Sequence, residues 1–549
     1  MSTNSLTSHH KPLALAVSAA LAMGLAGPAI GQFTSVVQLS DLDGTNGFKL
    51  DGEFDSDHSG FSVSNAGDVN GDGVDDLLIG APYADSNGSD SGRVYVIFGR
   101  TDGIFSTIQF SSLDGDNGFM LDGEGLYFFG DRSGFSVSTA GDINGDGIGD
   151  IIIGAPSAEF DGCRCGRSYV VFGKSDGFPA RVPLSSLDGI NGFTLDGKEP
   201  GGSNSGFSVS TAGDINGDGF DDLIIGAPYA VPNGAGTGRS YVVFGRPDNF
   251  PARVQLSSLS GDIGFTLDGE KVGIVASSGA SVSKAGDVNG DEINDLIIGA
   301  PKSDSNGTNS GRVYVIFGNK DGFPATVQLS SLNGFNGFKL DGEDQFDFSG
   351  TSVSDAGDIN GDGVDDFIIG GPGVDPNNIY IGRSYVVFGM TDGFPPTLQL
   401  SDLNGANGFK IDGEVSGAGG GARSGFSVGN AGDINGDGVN DLIIGAPYAS
   451  QNGFNSGRSY VVFGSSDGFS AIVQLSNLNG DNGFILDGEG ADGGISGFSV
   501  STAGDINDDG LDDLIIGAPR ADLNGCFCGR SYVLFGKRND IIFQDSFED

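Results

Sequence analysis

The sequence predicts an all-β fold: a seven-bladed β-propeller of four-stranded antiparallel blades, closed by an N-terminal strand in the last blade. Three observations carry this. An acidic nine-residue loop running straight into an apolar stretch recurs seven times, from Asp68, Asp142, Asp214, Asp287, Asp358, Asp433 and Asp505, a step of 71–75 residues. Such a fixed period decides architecture, and this one is long for a solenoid coil. Each repeat holds four strand-like runs, the content of a propeller blade. The runs are also displaced by one strand relative to the chain ends, as a closed ring requires.

In the first full repeat, Phe61-Ser62-Val63-Ser64-Asn65-Ala66-Gly67 alternates apolar and small residues and suits a crowded inner strand, A. The acidic loop follows. Strand B, Leu77-Leu78-Ile79-Gly80-Ala81, and strand C, Val94-Tyr95-Val96-Ile97-Phe98-Gly99, are continuous apolar runs and are expected to be buried on both faces. Strand D, Gly118-Phe119-Met120-Leu121-Asp122-Gly123-Glu124, alternates in most copies and is expected to be outer and half-exposed. The first copy of D, Gly47 to Glu53, precedes the first A, and the last repeat ends after its C strand at Phe535-Gly536. The early D strand therefore completes the seventh blade and removes an open edge. An Arg opens every strand C, and Arg93 is expected near Asp122 or Glu124, Arg530 near Asp51 or Glu53.

Only one connection changes length. From Glu53 to Phe61 is 8 residues, from Glu124 to Phe135 is 11, and from Glu414 to Phe426 is 12. In an up-and-down blade these D–A loops share a rim with the B–C loops, and the acidic A–B loops lie on the other. Variable loops on a rigid frame are where binding resides.

The 549 residues include 99 Gly, placed at fixed offsets as turns, and the formal net charge is −46. So acidic a chain repels phosphate backbones, which excludes nucleic acid as a partner. Residues 1–31 have the pattern of a secretory signal peptide, with an apolar stretch from Leu13 to Ala26 and a small-x-small site at Ala29-Ile30-Gly31. The propeller is assigned to 32–540 and a tail to 541–549. Localisation is expected to be secreted or cell-surface, with no transmembrane segment in the mature chain, as a monomer. Cys163-Arg164-Cys165 and Cys526-Phe527-Cys528 occupy one point of two repeats; disulfides are the expectation in an exported chain, with half a zinc site the weaker alternative.

The loops have the oxygen donors that hard divalent cations take, and calcium accepts six to eight such ligands. Positions 1, 3, 5 and 9 supply side chains, position 7 its carbonyl, and Gly at position 6 the bend, the logic of the first part of an EF-hand loop. The expected ligands, for up to seven Ca2+, are Asp68, Asn70, Asp72, Val74 and Asp76; Asp142, Asn144, Asp146, Ile148 and Asp150; Asp214, Asn216, Asp218, Phe220 and Asp222; Asp287, Asn289, Asp291, Ile293 and Asp295; Asp358, Asn360, Asp362, Val364 and Asp366; Asp433, Asn435, Asp437, Val439 and Asp441; and Asp505, Asn507, Asp509, Leu511 and Asp513. The bland alternative is a set of Asx turns with no metal. Glu292 replaces the position-6 Gly and weakens its site; Asp508 replaces Gly at position 4, expected to face solvent.

These residues resemble a family. Gly60-Phe61, Asp68–Asp76 and Gly80-Ala81-Pro82 look like the FG-GAP repeat of integrin α-subunit N-terminal propellers, and the closest likeness is to secreted bacterial FG-GAP proteins. The resemblance implies calcium in the A–B loops and ligands on the opposite rim. Unlike integrins, all seven loops here carry the motif.

Function then divides three ways. The first reading is a calcium-stabilised binding or adhesion propeller for an extracellular protein or glycan. Its candidate contacts are Leu126-Tyr127-Phe128-Phe129, Phe346, Phe348, Ile274, Val275, Tyr83, Tyr229 and Tyr448. The second is a hydrolase acting on carbohydrate or lipid, disfavoured because His58 is the sole histidine beyond the signal segment; no enzyme is expected. The third is a calcium-bridged structural surface protein. The tail, with Phe543-Gln544-Asp545-Ser546-Phe547-Glu548, is similar to the endings of some exported bacterial proteins.

Overall fold

The computed structural model describes residues 33–538, except 102, 104, 126–129, 198–201, 248–249, 376–378, 416–419, 491–492 and 524. Residues 1–31, expected to be a signal peptide, the tail 541–549 and the run 126–129 therefore lie outside the described residues. Within the unit Gln32–Asp549 the strands form seven sheets in a ring, a seven-bladed β-propeller. In the first blade strand A is Ser62–Gly67, B is Asp76–Ala81, C is Arg93–Ile97 and D is Gly118–Asp122, each antiparallel to the next. Every A strand slips register before its last glycine, as between Asn65 and Gly67, which has φ 69°. That bulge sets up the turn into the acidic loop.

Burial follows from the ring. Every residue of strand B is buried, because each face of a blade packs on a neighbouring blade. The hydrophobic core is accordingly seven slabs between blades. In one, Ala503, Ile515 and Val533 of the seventh blade meet Val63, Leu77 and Ile79 of the first. The A strands face one another around the axis, Ser62–Gly67 lying between Ser136–Gly141 and Ser499–Gly504. The serine that opens each A strand accepts a hydrogen bond from the next blade: Val137 N–H to Ser62 Oγ, 2.9 Å, and finally Val63 N–H to Ser499 Oγ, 3.1 Å. The small polar residues of strand A thus join blades as well as fitting the crowded centre.

The structure adds a fifth strand to each expected four. Three residues of the C–D connection cross to the preceding blade and pair in parallel with its D strand, as Thr107–Gln109 do with Lys49–Asp51 and Arg181–Pro183 with Met120–Asp122. A short 3-10 turn follows each. This corrects the expectation that D is half-exposed: Gly118–Asp122 is buried throughout because the fifth strand covers its edge. Connection phenylalanines add to the cover, Phe178 stacking on Phe119 with ring centroids 4.1 Å apart.

Closure is doubled. Gly47–Asp51 pairs antiparallel with Arg530–Leu534 and completes the seventh blade, as expected, while Val36–Gln38 adds the fifth strand to the sixth. The rims divide as the loop lengths implied. Gly92 of a B–C loop bridges Ser133 of a D–A loop, and Lys174 N–H of a C–D connection donates to Val69 C=O of an A–B loop. Each Cys-x-Cys is closed on itself as a disulfide, within the B–C loops of the second and seventh blades.

Candidate functional site

The acidic loop is built around its first and last aspartates. Asp68 accepts from the N–H groups of Gly71, Asp72 and Gly73 at 2.7–3.0 Å; Asn70 Oδ1 accepts from Asp72 N–H and Asp72 Oδ1 from Val74 N–H. These are Asx turns in series, which let a tight acidic loop hold its shape. Asp76 opens strand B and is fully buried, its oxygens accepting from Val69 N–H and from Gly99 N–H at the end of strand C, both 2.9 Å. The bond to the strand C glycine recurs in all seven blades. Position 9 therefore has a structural part that the sequence reading missed: it ties the A–B loop to strand C.

Burial, with the negative charge of positions 5 and 1, pushes the carboxyls of Asp76, Asp150, Asp222, Asp366 and Asp513 up to about 8 against two N–H groups that pull them down. Asp295 and Asp441 are raised in the same way. The amide at position 3 sits beside this carboxylate, Asn144 Nδ2 lying 3.5 Å from Asp150 Oδ1. Positions 1, 3, 5 and 9 thus share one neighbourhood of oxygen donors. Among the described residues, however, no three His, Cys, Asp or Glu side chains stand in a metal-holding arrangement. The donor chemistry still fits a hard cation. Each loop offers carboxylate, amide and carbonyl oxygens, and Asn507 Oδ1 at position 3 of the last loop is buried with no partner among the described residues.

Glu292 adopts φ 68° and keeps the loop bond, its N–H donating to Asp287 at 2.7 Å. Asp508 is exposed, as expected, but position 4 is also left-handed, with φ 56° there and 74° at Gly71. Position 8 is a further element the sequence reading passed over. Asp75, Asp221, Asp365 and Asp512 accept from the N–H of position 1 in the preceding blade, at 2.8–3.1 Å, so adjacent loops are linked.

The opposite rim is braced by charge. Arg93 Nε donates to Asp122 at 2.7 Å, and its Nη1 donates to Glu53 of the preceding D strand at 2.6 Å. Arg530 does the same with Asp51 and Glu489. The aspartate is the expected partner; the glutamate comes from the neighbouring blade. Axially, Phe426, Phe498, Phe61, Phe135 and Phe207 form an arc of half-buried rings with centroids 4.9–5.0 Å apart where neighbours meet. Ala280 and Thr351 take this position in the fourth and fifth blades. Tyr83, Tyr229 and Tyr448 pack edge-on to Phe61, Phe207 and Phe426. The signal for this arc was the phenylalanine preceding strand A in five repeats.

Of the expected rim contacts, Ile274 is 84% and Phe346 44% exposed, Tyr229 is exposed, and Phe348, Val275, Tyr83 and Tyr448 are half-buried. Of fourteen exposed large apolar side chains among the described residues nine lie here, while Phe105, Ile190 and Phe335 stand on C–D connections and Val36 and Ile472 on fifth strands. Phe54, Tyr229, Val231, Ile274, Phe346, Tyr380, Val415, Phe454 and Phe527 all stand on D–A or B–C loops.

Six segments, 59–97, 133–171, 205–243, 278–316, 424–462 and 496–534, match the FG-GAP repeat. The chain is an FG-GAP repeat protein. The segments span each A, B and C strand with the loop between, and the fifth repeat folds alike although it is not among them. Known relatives are integrin α chains. Integrin alpha pat-2 of Caenorhabditis elegans is 30% identical over 254 residues, 46% of this chain and 18% of that protein; integrin alpha-5 of Xenopus laevis is 35% identical over 195 residues, 35% and 17%. Phosphatidylinositol-glycan-specific phospholipase D of Bos taurus is 27% identical over 444 residues, 74% of this chain and 46% of that protein. The chain spans less than half the length of each of these relatives. Its FG-GAP propeller resembles the integrin α N-terminal domain, which supports a binding module. No helix among the described residues is long and apolar enough to cross a membrane.

Proposed function

We propose that this FG-GAP propeller is a secreted or cell-surface adhesion module stabilised by calcium, which takes an extracellular protein or glycan on its D–A and B–C loops. The observation that carries the reading is the concentration of exposed apolar side chains on the one rim whose loops change length. Binding residues stand disproportionately on loops held by a rigid scaffold. Calcium would be held by positions 1, 3, 5 and 9 of each acidic loop with the position-7 carbonyl, and would offset the clustered carboxylates. Asp76 and its counterparts would then stay ionised while still tying loop to strand. The cations stiffen the A–B rim, and the opposite rim presents a rigid platform.

Calcium titration with thermal melting, before and after chelation, tests the metal. A melting point unchanged by chelation refutes it for all seven loops. A protein and glycan array probed with wild type and a Phe54→Ser/Ile274→Ser/Phe454→Ser variant tests the rim; equal binding by both refutes that surface. A second reading, a hydrolase, rests on the phospholipase D relative, whose match covers most of this chain. Turnover of any substrate in a glycosidase and phosphodiesterase panel would favour it over binding as the sole function.

A further inference from the structure

We propose that a cleft on the outer edge between the second and third blades, where the C–D connection of the third crosses to the second, binds a hydroxylated organic carboxylate of monosaccharide size, the class of the uronic acids. The cleft holds about 300 Å³ between the fifth strand Arg253–Gln255 and the start of the C–D connection. Phe244, Phe250, Val254 and Ile263 supply apolar walls, and Arg246, Arg253 and Gln255 the polar lining. In a chain of net charge −46, two guanidinium groups here share one cleft. Neither forms an ion pair among the described residues. Arg246 stacks over Phe250 at 4.5 Å and Arg253 over Phe160 at 4.9 Å, which holds both in place.

Two buried atoms in this lining have no hydrogen-bond partner among the described residues. One is a donor, Arg246 Nε, and the other an acceptor, Gln255 Oε1. Leaving such groups unmatched is costly. A ligand that satisfies both brings an anionic acceptor for the guanidinium fork and a hydroxyl donor for the amide oxygen. The apolar walls add a flat, weakly polar body, such as the C–H face of a sugar ring.

The other repeats provide an internal comparison. The same groove in the fourth blade, about 650 Å³, has Asn319 and Thr326 in place of Arg246 and Arg253. The fifth and sixth have Met390 with Thr397, and Ser465 with Ile472. The second has Lys174 and Arg181, but these lie 3.2 Å from Asp176 and 3.6 Å from Asp122. The arginine pair is therefore not a requirement of the fold.

Saturation-transfer NMR at fixed calcium tests the site with glucuronate, glucose and inorganic phosphate, each titrated to about 20 mM, where a site of ~1 mM is saturated. The expected result is binding of glucuronate but not glucose, weakened at least about tenfold in Arg246→Asn/Arg253→Thr, which reproduces the fourth-blade groove. Arg253→Thr alone removes one exposed side chain and serves if the double variant does not melt as the wild type does. No glucuronate binding by wild type, or unchanged affinity in the variants, overturns the proposal. Phosphate bound as tightly as glucuronate overturns its sugar-acid part.

Discussion

Arg530→Met tests how the ring is held shut. Arg530 lies on the last strand, and its Nε and Nη1 reach Asp51 and Glu489 at 2.6 Å each. Asp51 belongs to the N-terminal strand Gly47–Asp51, so this guanidinium spans the seam between chain ends. Removing one partner of a buried ion pair costs about 3–5 kcal/mol. The side chains here keep 15%, 11% and 21% exposure. Each acid also retains a partner, Asp51 from Gln109 Nε2 at 2.9 Å and Glu489 from Lys49 Nζ at 2.6 Å. The estimate therefore falls to about 2–3 kcal/mol. If this is spent on opening the seam, amides of residues 47–51 and 530–534 exchange about 30- to 150-fold faster. Hydrogen exchange by mass spectrometry reads this directly. Arg312→Met is the control, breaking a like contact to Asp341 and Glu270 away from the seam. Wild-type exchange at 47–51 in Arg530→Met, or loss there in Arg312→Met, would refute the reasoning.

Two more outcomes follow from single residues. Glu292 stands at φ 68° where six other loops have glycine. Left-handed strain of roughly 1–2 kcal/mol, less about 0.5–1 kcal/mol for the added chain entropy of glycine, makes Glu292→Gly stabilising by about 0.5–1 kcal/mol; an unchanged or lower urea midpoint contradicts this. Asp57 is 4% exposed, with Oδ2 lacking a partner among the described residues, and burial pushes its carboxyl up to about 6, Glu53 and Asp85 adding to the rise and Arg93 opposing it. A folded value above the unfolded one means stability is lost as pH rises from about 4 to 6. Asp57→Asn should therefore gain on wild type across that window, by about 2–3 kcal/mol at pH 7.5, in urea unfolding at pH 4 and 7.5. An equal difference at both pH values would rule out titration of Asp57 as the cause.

Much of the fold was legible because its determinants are local and repeat. Alternation in Phe61–Gly67, the apolar run Leu77–Ala81 and the constant spacing of the acidic loop set strand order. The displaced D strand at Gly47 set the closure. What was missed lies between blades. Thr107–Gln109 is three residues long, too short to show periodicity, and its pairing with Lys49–Asp51 exists only once two repeats are side by side. Asp76 carries the same letter whether it faces solvent or the backbone of strand C; burial decided that.

The sequence by itself determined seven repeats, four strands in each, the segregation of acidic loops from variable loops and the strand that closes the ring. These follow from residue spacing along a chain whose side chains must alternate between two faces. Only the tertiary structure decided what crosses a blade boundary: the fifth strands, the glutamates that join six of the strand C arginines from the blade before, the aromatic arc around the axis and the cleft of Arg246, Arg253 and Gln255. Such contacts form only once neighbouring blades pack face to face through their shared apolar slabs, and no single repeat contains both partners.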